Sequence, residues 1–438
     1  MDNGRAPNFA ERLLPNPGKN VPYLDAIRGI AVLFVLVRHA WGIGGEPDYS
    51  VLGHNLSTLI VMMSSGVDLF FVLSGVLLSA RFLKAEALGR PAPAFLEYMK
   101  SRILRIGPPY WLVLAIVLVL YTPSMIPNDR IWSNYGAFMV FTHATFMQSL
   151  FIVSFGAYMV EAPFWTLTVE MVFYLILPLM VRAFYRFRWW QGVVAAFAMS
   201  SLWLYLCRNE LDGVVAFIRG HAFGLAYSEG GVRFFLSHQI LGYLPHFAIG
   251  CAISTILQRR PASIFSGERA GVVYALAGLA LLAVSMFVLG RLHILGGFSN
   301  PELAVTGSDI TARVFYYGES MPFALAYGLL ILGIALGPQR VRNVVARPTL
   351  TLFGVLGYSI YLIHMPLLRT LNEHAIIAWA PDASSHFIRL FLASLVVVVP
   401  AALGLFHVIE KPSMVWAARV REKGLPHPNL SATEREGG

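Results

Sequence analysis

The chain has 438 residues, of which 57% are hydrophobic and only 13% are charged, and its mean hydropathy is +0.63. Soluble domains carry about 25% charged residues, so this composition excludes a soluble globular enzyme, and the high hydrophobicity excludes a disordered chain. We attribute the net charge of +9 to cytoplasmic loops rich in Lys and Arg, and we expect no nucleic-acid partner. The sequence therefore predicts an all-α polytopic membrane protein.

Ten stretches are long and apolar enough, or nearly so, to cross a bilayer as helices of about 20 residues. They are residues 24–43, 57–83, 108–124, 163–183, 191–207, 235–257, 270–290, 320–337, 350–370 and 387–410. A further apolar stretch at 135–153 is accompanied by the polar residues Asn134, His143 and Gln148. We interpret this stretch as an external or re-entrant segment.

The basic residues predict which side of the membrane each loop faces. With the N-terminus inside, internal segments contain 23 of the 33 Lys and Arg residues, and external segments contain 6. This excess alternates from loop to loop, as the positive-inside rule requires. We expect a bundle of about ten spans with both termini cytoplasmic: an N-terminal segment at 1–22, a transmembrane domain at 23–410 and a tail at 411–438. We expect no cleaved signal peptide and no second domain.

The first span contains Arg28 and His39, which are 11 residues apart. This spacing is three helical turns plus about 20°, so both side chains lie on one stripe, about 16 Å apart along the axis. Charged groups inside a membrane are costly and are usually functional. In the alternative, Arg28 and Asp25 extend to the inner interface while His39 hydrogen-bonds a neighbouring helix.

Asp68 lies in the middle of the second predicted span and Glu170 in the fourth. Glu170 is seven residues from the external end of its span, about 10 Å deep, which is roughly the depth predicted for His39. We therefore predict an acid/base pair in which Glu170 or Asp68 orients His39, with a structural ion pair as the alternative. We interpret Ser74, next to Gly75, as a helix-packing contact rather than a nucleophile.

A cytoplasmic loop reads KSRILRIGPPYWL and contains Arg102 and Arg105. At a spacing of three residues, the two side chains share one helical face at the membrane surface, just before Pro108 and Pro109 open the third span. Two guanidinium groups directed at one point suit a phosphate group. A loop that binds lipid head groups is the alternative.

The ninth and tenth spans supply further candidates. Ser359, Tyr361 and His364 lie in the ninth, and Glu410 ends the tenth. Alone they indicate interhelical hydrogen bonds and an interfacial anchor. Two cysteines are too few for a cysteine-rich metal site, and no metal, nucleotide or hydrolase motif is supported by its context, so we expect no metal and no permanently bound cofactor.

Six segments, taken in chain order, resemble the acyltransferase-3 family of integral membrane acyltransferases. They are LDAIRGIAVLFVLVRH, FFVLSG, RILRIGPPYW, FWTLTVEMVFYLILP, LGYSIYLIHMPL and HVIEKP. The resemblance extends from about Tyr23 to Trp416. It departs at Thr166, where the family more often has Ser, and at Val76, where the family often has an aromatic residue.

The resemblance implies transfer of an acyl group, usually acetyl from acetyl-CoA as donor substrate, to a hydroxyl of a cell-envelope glycan or another acceptor. Its first-span arginine and histidine correspond to Arg28 and His39. Its paired arginines, implicated in handling acyl-CoA, correspond to Arg102 and Arg105, and its acidic residue after the tryptophan corresponds to Glu170. The implied location is a bacterial cytoplasmic membrane, with membrane lipid as a further contact.

Many members of the family also carry an extracellular esterase-like domain, which we do not find in this sequence. The transfer is then completed by this chain alone or through a separate extracytoplasmic transferase. We expect the pantetheine arm of the donor to pass Arg28. We expect His39 to act as the general base. Direct transfer and an acyl-enzyme intermediate both stay open. The alternative class is a transporter that uses the buried His, Arg, Asp and Glu residues, although a proton relay would not require the cytoplasmic arginine pair.

Overall fold

The structure is a computed structural model that describes residues 21–48, 50–51, 54–89, 91–120, 134–155, 163–221, 227–259, 267–292, 320–373 and 383–423. Residues 1–20 and 424–438 of the predicted terminal segments, and residues 293–319 of the predicted external loop 291–319, lie outside these ranges. Apart from one two-residue hairpin, the regular elements within the described ranges are helices.

The elements of the first half are α1 (Pro22–Ile43), β1 (Ser50–Val51), β2 (His54–Asn55), α2 (Ser57–Val61), a 3-10 turn (Met62–Ser65), α3 (Gly66–Ala87), α4 (Phe95–Leu120), α5 (Asn134–Ala144), a 3-10 turn (Gln148–Leu150), α6 (Ile152–Phe155), α7 (Trp165–Arg186) and α8 (Trp189–Asn209). Those of the second half are α9 (Asp212–Gly220), α10 (Glu229–Ser237), α11 (Ile240–Arg259), α12 (Glu268–Leu292), α13 (Ser320–Leu336), α14 (Gln339–Val345), α15 (Pro348–Val355), α16 (Gly357–Leu371), α17 (Ala383–Leu405), a π turn (Phe406–Glu410) and α18 (Lys411–Lys423). Strands β1 and β2 pair antiparallel, with Ser50 opposite Asn55.

Each of the ten predicted spans coincides with one of these helices or with a pair of them. Within the described residues, eight helical stretches are long and apolar enough to cross a membrane, and the bent pair α15 and α16 is a ninth candidate. The tenth, α13, is an apolar helix of 17 residues. The prediction of an all-α polytopic membrane protein is confirmed.

The centre of the bundle is α11, whose side chains are nearly all buried. It crosses α3 at two glycines: a Cβ on Gly75 would lie 2.6 Å from the Phe247 carbonyl oxygen, and one on Gly250 would lie 2.4 Å from the Val72 carbonyl oxygen. Small residues let helix backbones approach this closely, which confirms the predicted packing role of the segment that contains Gly75.

The helices at the periphery expose apolar side chains. Leu276 and Phe287 on α12 and Val396 on α17 are 62%, 60% and 73% exposed. In water these surfaces would be unfavourable, whereas in a bilayer they face lipid tails of the same polarity.

The third span differs from its prediction. Helix α4 begins at Phe95 and continues through Pro108 and Pro109, whereas the sequence predicts that these prolines open the span. Proline removes a helical N–H bond but is tolerated where neighbouring helices satisfy the freed backbone groups. Nearby, the Tyr358 hydroxyl donates to the Ile106 carbonyl oxygen at 2.7 Å. Residues 121–124 of the predicted span lie outside the described ranges.

The ninth span is not straight. Helices α15 and α16 meet at Leu356 with a bend of 73°. Helix α15 packs closely on α1, because a Cβ on Gly354 would lie only 1.6 Å from the Asp25 carbonyl oxygen. Past the bend, the Arg28 side chain crosses Gly357, whose added Cβ would lie 3.4 Å from Arg28 Cδ. The bend therefore lets one segment contact α1 at two levels.

The tenth span continues beyond its predicted end at residue 410. The helical stretch Ser384–Val420 has 37 residues and includes the π turn Phe406–Glu410. Helix α18, which is the first part of the predicted tail, packs against α4. The predicted cytoplasmic tail therefore begins as a helix that continues the tenth span.

The stretch predicted to be external or re-entrant forms the short helices α5 and α6 with a 3-10 turn between them. Its polar residues make specific contacts: Gln148 Nε2 donates to the Phe164 carbonyl oxygen at 2.7 Å, and Tyr110 donates to the carbonyl oxygen of His143 at 2.9 Å. Burial lowers the pKa of the His143 imidazole to about 4, so this side chain is neutral near pH 7. The Gln148 side chain therefore attaches the segment to the start of α7, and the backbone of His143 attaches it to α4.

Candidate active site

The predicted site residues lie in three places. The group that we call the inner cluster consists of Asp25, Arg28, Arg102, Arg105, Glu170 and Glu410. The group that we call the histidine pair consists of His39 and His364, with Tyr361 beside it. The third, Asp68, is bonded to a histidine on α11.

Arg28 links the charged groups of the inner cluster. Its Nη1 donates to Asp25 Oδ1 at 2.9 Å, one helical turn away on α1. Its guanidinium also interacts electrostatically with Glu410, Glu170 and Arg105. The ion pair between Arg28 and Asp25 is thus part of a larger charge network.

Glu410 enters this cluster from the π turn. It accepts a short hydrogen bond from the Ser359 hydroxyl on α16, and it is 4% exposed. Arg28 and Arg105 both act on its carboxyl group. π turns occur often at functional sites because they redirect one side chain without ending the helix. Glu410 is therefore part of the charge network and not only an interfacial anchor.

Glu170 is held by hydroxyl groups. Ser74 donates to its Oε1 at 3.1 Å and Tyr174 at 2.6 Å. The predicted pairing of Glu170 with His39 is wrong, because each hydrogen bond of His39 in the described structure goes to another group. Counting residues from the ends of the predicted spans did not give the relative depth of the two side chains, because Glu170 lies near Arg28 in the inner cluster.

The arginine pair lies on one continuous helix, as predicted. Arg102 is 8% exposed, whereas Arg105 is half-buried. Tyr98 and Tyr174 pack edge to face, with ring centroids 6.5 Å apart. Arg102 and Glu170 both act electrostatically on these two tyrosines. The tyrosines therefore connect the buried arginine with the carboxyl group deeper in the bundle.

The histidine pair joins α1 to α16. His364 Nε2 lies 3.3 Å from His39 Nδ1, and the two ring centroids are 5.0 Å apart. His39 Nδ1 also lies 2.9 Å from the Val35 carbonyl oxygen. His364 is 1% exposed and His39 is half-buried. Sequence reasoning named both histidines but did not place them together.

Tyr361 fixes the outer half of α16 to the start of α7. Its hydroxyl donates to the Pro163 carbonyl oxygen at 2.7 Å and lies 2.6 Å from Thr166 Oγ1. Thr166 is a position where this chain departs from the family pattern, and its hydroxyl supplies the contact that a serine would also supply. Tyr361 therefore positions the helix that carries His364.

Asp68 does not contact His39 in the described structure, so the prediction that it orients His39 is also wrong. Its Oδ1 lies 2.8 Å from Nε2 of His246, a fully buried histidine on α11. Sequence reasoning missed His246, although an ionisable residue inside a predicted span is the same signal that identified Asp68. Sequence reasoning also missed Tyr174, the partner of Glu170, because one tyrosine among the aromatic residues of an apolar span does not stand out as a hydrogen-bond donor.

The contacts agree with the predicted sidedness of the helices. Arg28, Arg105 and Glu410 meet although they come from the start of the first span, the start of the third and the end of the tenth, all predicted to be cytoplasmic. Tyr361 and Thr166 meet from the predicted outer parts of the ninth and fourth spans.

Most of the chain matches a known protein family. Residues 21–407 match a family model described as an acyltransferase domain. Protein 2 in the picA locus of Rhizobium radiobacter is 33% identical over 168 residues, which are 36% of this chain and 80% of that protein. Nodulation protein 10 of Rhizobium leguminosarum bv. viciae is 25% identical over 202 residues, which are 41% of this chain and 49% of that protein.

A third relative is the O-acetyltransferase OatA of Staphylococcus aureus, 24% identical over 366 residues, which are 81% of this chain and 51% of that protein. The chain thus spans about half the length of two of these three relatives. No solved structure matches the chain.

Proposed function

The chain belongs to the acyltransferase-3 family of membrane acyltransferases, and we propose that it moves an acyl group, acetyl in the first instance, from a cytoplasmic acyl-CoA to a hydroxyl group of a cell-envelope glycan or a similar acceptor. One observation carries the proposal. Helix α1 places Arg28 in the inner cluster and His39 in the histidine pair. A single helix thus connects a cluster that contains three arginines, on the donor side, with an imidazole on the acceptor side.

The donor end of the proposal rests on the inner cluster. Coenzyme A is a cytoplasmic polyanion, and guanidinium groups bind phosphate oxygens through paired N–H donors. Arg105 is the more exposed of the arginine pair and is assigned to the phosphates of the donor. Arg102 is assigned to the inner part of the donor path, beside Tyr98.

The acceptor end rests on His39. We assign its imidazole as the general base that takes the proton from the acceptor hydroxyl. The hydroxyl oxygen forms a bond to the thioester carbonyl carbon, the carbon–sulfur bond breaks, and the imidazolium returns its proton to the leaving thiolate. Coenzyme A then leaves as the free thiol, so protons and charges balance within each turnover.

The relatives support the chemical class of donor and acceptor. OatA is named an O-acetyltransferase, which favours acetyl as the group and oxygen as the accepting atom. The three relatives described above come from bacteria, which favours a bacterial cytoplasmic membrane. The proposal includes a separate extracytoplasmic protein that receives the acyl group.

The experiment uses inside-out membrane vesicles supplied with acetyl-CoA labelled on the acetyl group. Label in envelope material and release of free thiol are followed for the wild type, for His39→Ala and for the control His221→Ala. His221 is an exposed histidine at the end of α9, outside both groups of the site. We expect the wild type and the control to incorporate label and His39→Ala to incorporate none, with equal amounts of folded protein.

Each alternative result has a defined meaning. Incorporation by His39→Ala at the wild-type rate would remove the imidazole from its role as base. Thiol release without incorporation would identify a missing acceptor or partner protein, which adding envelope extract would restore. No dependence of either signal on folded protein would overturn acetyl-CoA as the donor.

A further inference from the structure

We infer that His364 is a positioning residue that holds His39 in the tautomer with its proton on Nδ1, so that Nε2 of His39 is the unprotonated nitrogen. The inference rests on the proposed role of His39 as general base. It assigns to a second, neutral imidazole the orienting role that the sequence predicts for a carboxylate. The protonation of each ring is set by hydrogen-bond partners that can only accept.

The protonation of His364 is set by its own helix. Its Nδ1 lies 2.8 Å from the Tyr361 carbonyl oxygen and 3.2 Å from the Ile360 carbonyl oxygen. A carbonyl oxygen only accepts, so this nitrogen carries the proton. In a neutral imidazole the other nitrogen then has a lone pair, and it is this Nε2 that faces His39.

The tautomer of His39 follows from its two neighbours. Its Nδ1 lies 2.9 Å from the Val35 carbonyl oxygen and 3.3 Å from His364 Nε2. Both are acceptors, so one Nδ1–H is shared between them and Nε2 of His39 has the lone pair. If His364 donated instead, the lone pair of His39 Nδ1 would face the carbonyl oxygen at 2.9 Å, which is repulsive.

The charged groups around His39 do not offer a competing partner among the described residues. Arg38 on α1 and Arg369 on α16 act on it electrostatically. From the neighbouring helices, Asp68 on α3 is bonded to His246, and His386 on α17 is bonded to the side chain of Asn372. Helix α17 also carries Arg389. The second imidazole is thus the side chain that orients the first.

A neutral partner suits the membrane interior. A buried carboxylate beside His39 would require full compensation when the imidazole is neutral. When His39 takes a proton, the lone pair of His364 and the Val35 carbonyl dipole stabilise the His39 imidazolium. Neither group carries a charge when His39 is neutral. His364 can act in this way because its ring is buried and because Tyr361 fastens the same helix to α7.

The test compares three substitutions of one residue. His364→Gln places an amide oxygen where Nε2 was, His364→Asn places its amide only where Nδ1 was, and His364→Ala removes both. We expect kcat to fall by about tenfold or more in the Asn and Ala variants, with KM for acetyl-CoA changed by less than about twofold. The Gln variant is expected to recover most of the lost kcat.

A second measurement does not depend on the His364 variants folding. Histidine labelled with ¹⁵N in the wild-type protein, assigned by comparison with His39→Gln, reports which ring nitrogen carries the proton. Protonation of His39 at Nδ1 is expected, and protonation at Nε2 would overturn the inference. So would wild-type kcat in His364→Ala, or equal kcat in the Gln and Asn variants.

The two proposals fail in different ways. If His39→Ala keeps full activity, the proposed base is wrong and the tautomer has no catalytic meaning. If His39→Ala is inactive while all three His364 variants keep wild-type kcat, the proposed function stands and only the positioning role of His364 is lost.

Discussion

At its inner end α1 places Arg28 among carboxyl groups and further arginines, whereas at its outer end it places His39 against a second histidine and a backbone carbonyl. The inner cluster draws charged side chains from α1, α4, α7 and the π turn. The histidine pair uses neutral rings from α1 and α16. The two sites are about 16 Å apart along one helix.

The difference indicates two kinds of task. Compensated charges near the predicted cytoplasmic surface can bind a polyanion while each charge keeps a partner when the ligand is absent. Deeper groups that must exchange a proton are better neutral at rest, because an uncompensated ion there is costly. We therefore expect substitutions in the inner cluster to affect stability and donor binding, and those in the histidine pair to affect turnover.

The largest expected effect on stability is that of Arg28→Ala. It leaves the buried Asp25 carboxyl and its neighbours without their shared cation, and removing one partner of a buried ion pair costs about 3–5 kcal/mol. Thermal unfolding in detergent, followed by intrinsic fluorescence, measures the loss. Arg28→Lys keeps the charge without the forked donors and is expected to fall between the wild type and Arg28→Ala.

Arg38→Ala is the matched control on the same helix. Arg38 pairs with Glu46 at 3.2 Å, and the Glu46 side chain is 55% exposed. An exposed pair of this kind contributes about 0–1 kcal/mol. Equal destabilisation by Arg28→Ala and Arg38→Ala would show that the inner cluster is not a compensated buried network.

The next effect concerns the packing that brings Arg28 to α16. In Gly354→Ala the new methyl group would meet the Asp25 backbone oxygen, and overpacking of this kind costs about 1–3 kcal/mol. Because backbone rather than a flexible side chain is in the way, we expect about 3 kcal/mol in the same unfolding measurement.

Gly404→Ala on α17 is the control for this substitution. No atom lies within 4 Å of its added Cβ, so the change is expected to be neutral or to stabilise the helix by up to about 1 kcal/mol. Similar unfolding temperatures for the two alanine variants would mean that α1 and α15 separate at little cost.

The smallest expected effect is a change in donor affinity. Arg105→Ala is expected to raise KM for acetyl-CoA about tenfold with little change in kcat, because one phosphate contact is lost before the chemical step. The difference from the wild type should shrink at high salt, since ions screen an exposed contact. The control is Arg340→Ala, which removes an exposed arginine on α14. An equal rise in KM for acetyl-CoA in this variant would mean that Arg105 contributes only a general positive charge.

The approximate number of spans could be predicted because it depends on composition over long windows. The helix ends and bends could not. The bend at Leu356 accompanies close packing of α15 and α16 against α1, which no local pattern encodes. Helix α4 also continues through Pro108 and Pro109, where the local pattern predicts a helix start. A proline makes a continuous helix less favourable, and the tertiary structure determines whether the helix continues through it.

The sequence predicted which residues belong to the candidate site but not which of them contact each other. The rule that intramembrane ionisable residues are functional identified Arg28, His39 and Glu170. Their partners depend on the relative depth and rotation of packed helices, so Glu170 was assigned to His39 although it bonds to Ser74 and Tyr174 in the inner cluster. The same rule applied to every span would have added His246.

The π turn at Phe406–Glu410 has a consequence for insertions and deletions in this chain. A π turn contains one residue more than an α-helix needs to connect the same two flanks. Deleting Val408, which is 69% exposed, would restore regular winding and leave α17 and α18 in their present relative orientation. A deletion in the middle of α17 would instead rotate everything beyond it by about 100°. The turn is therefore a position where the last span can lose one residue while α18 stays docked on α4, at the expense of the direction in which Glu410 points.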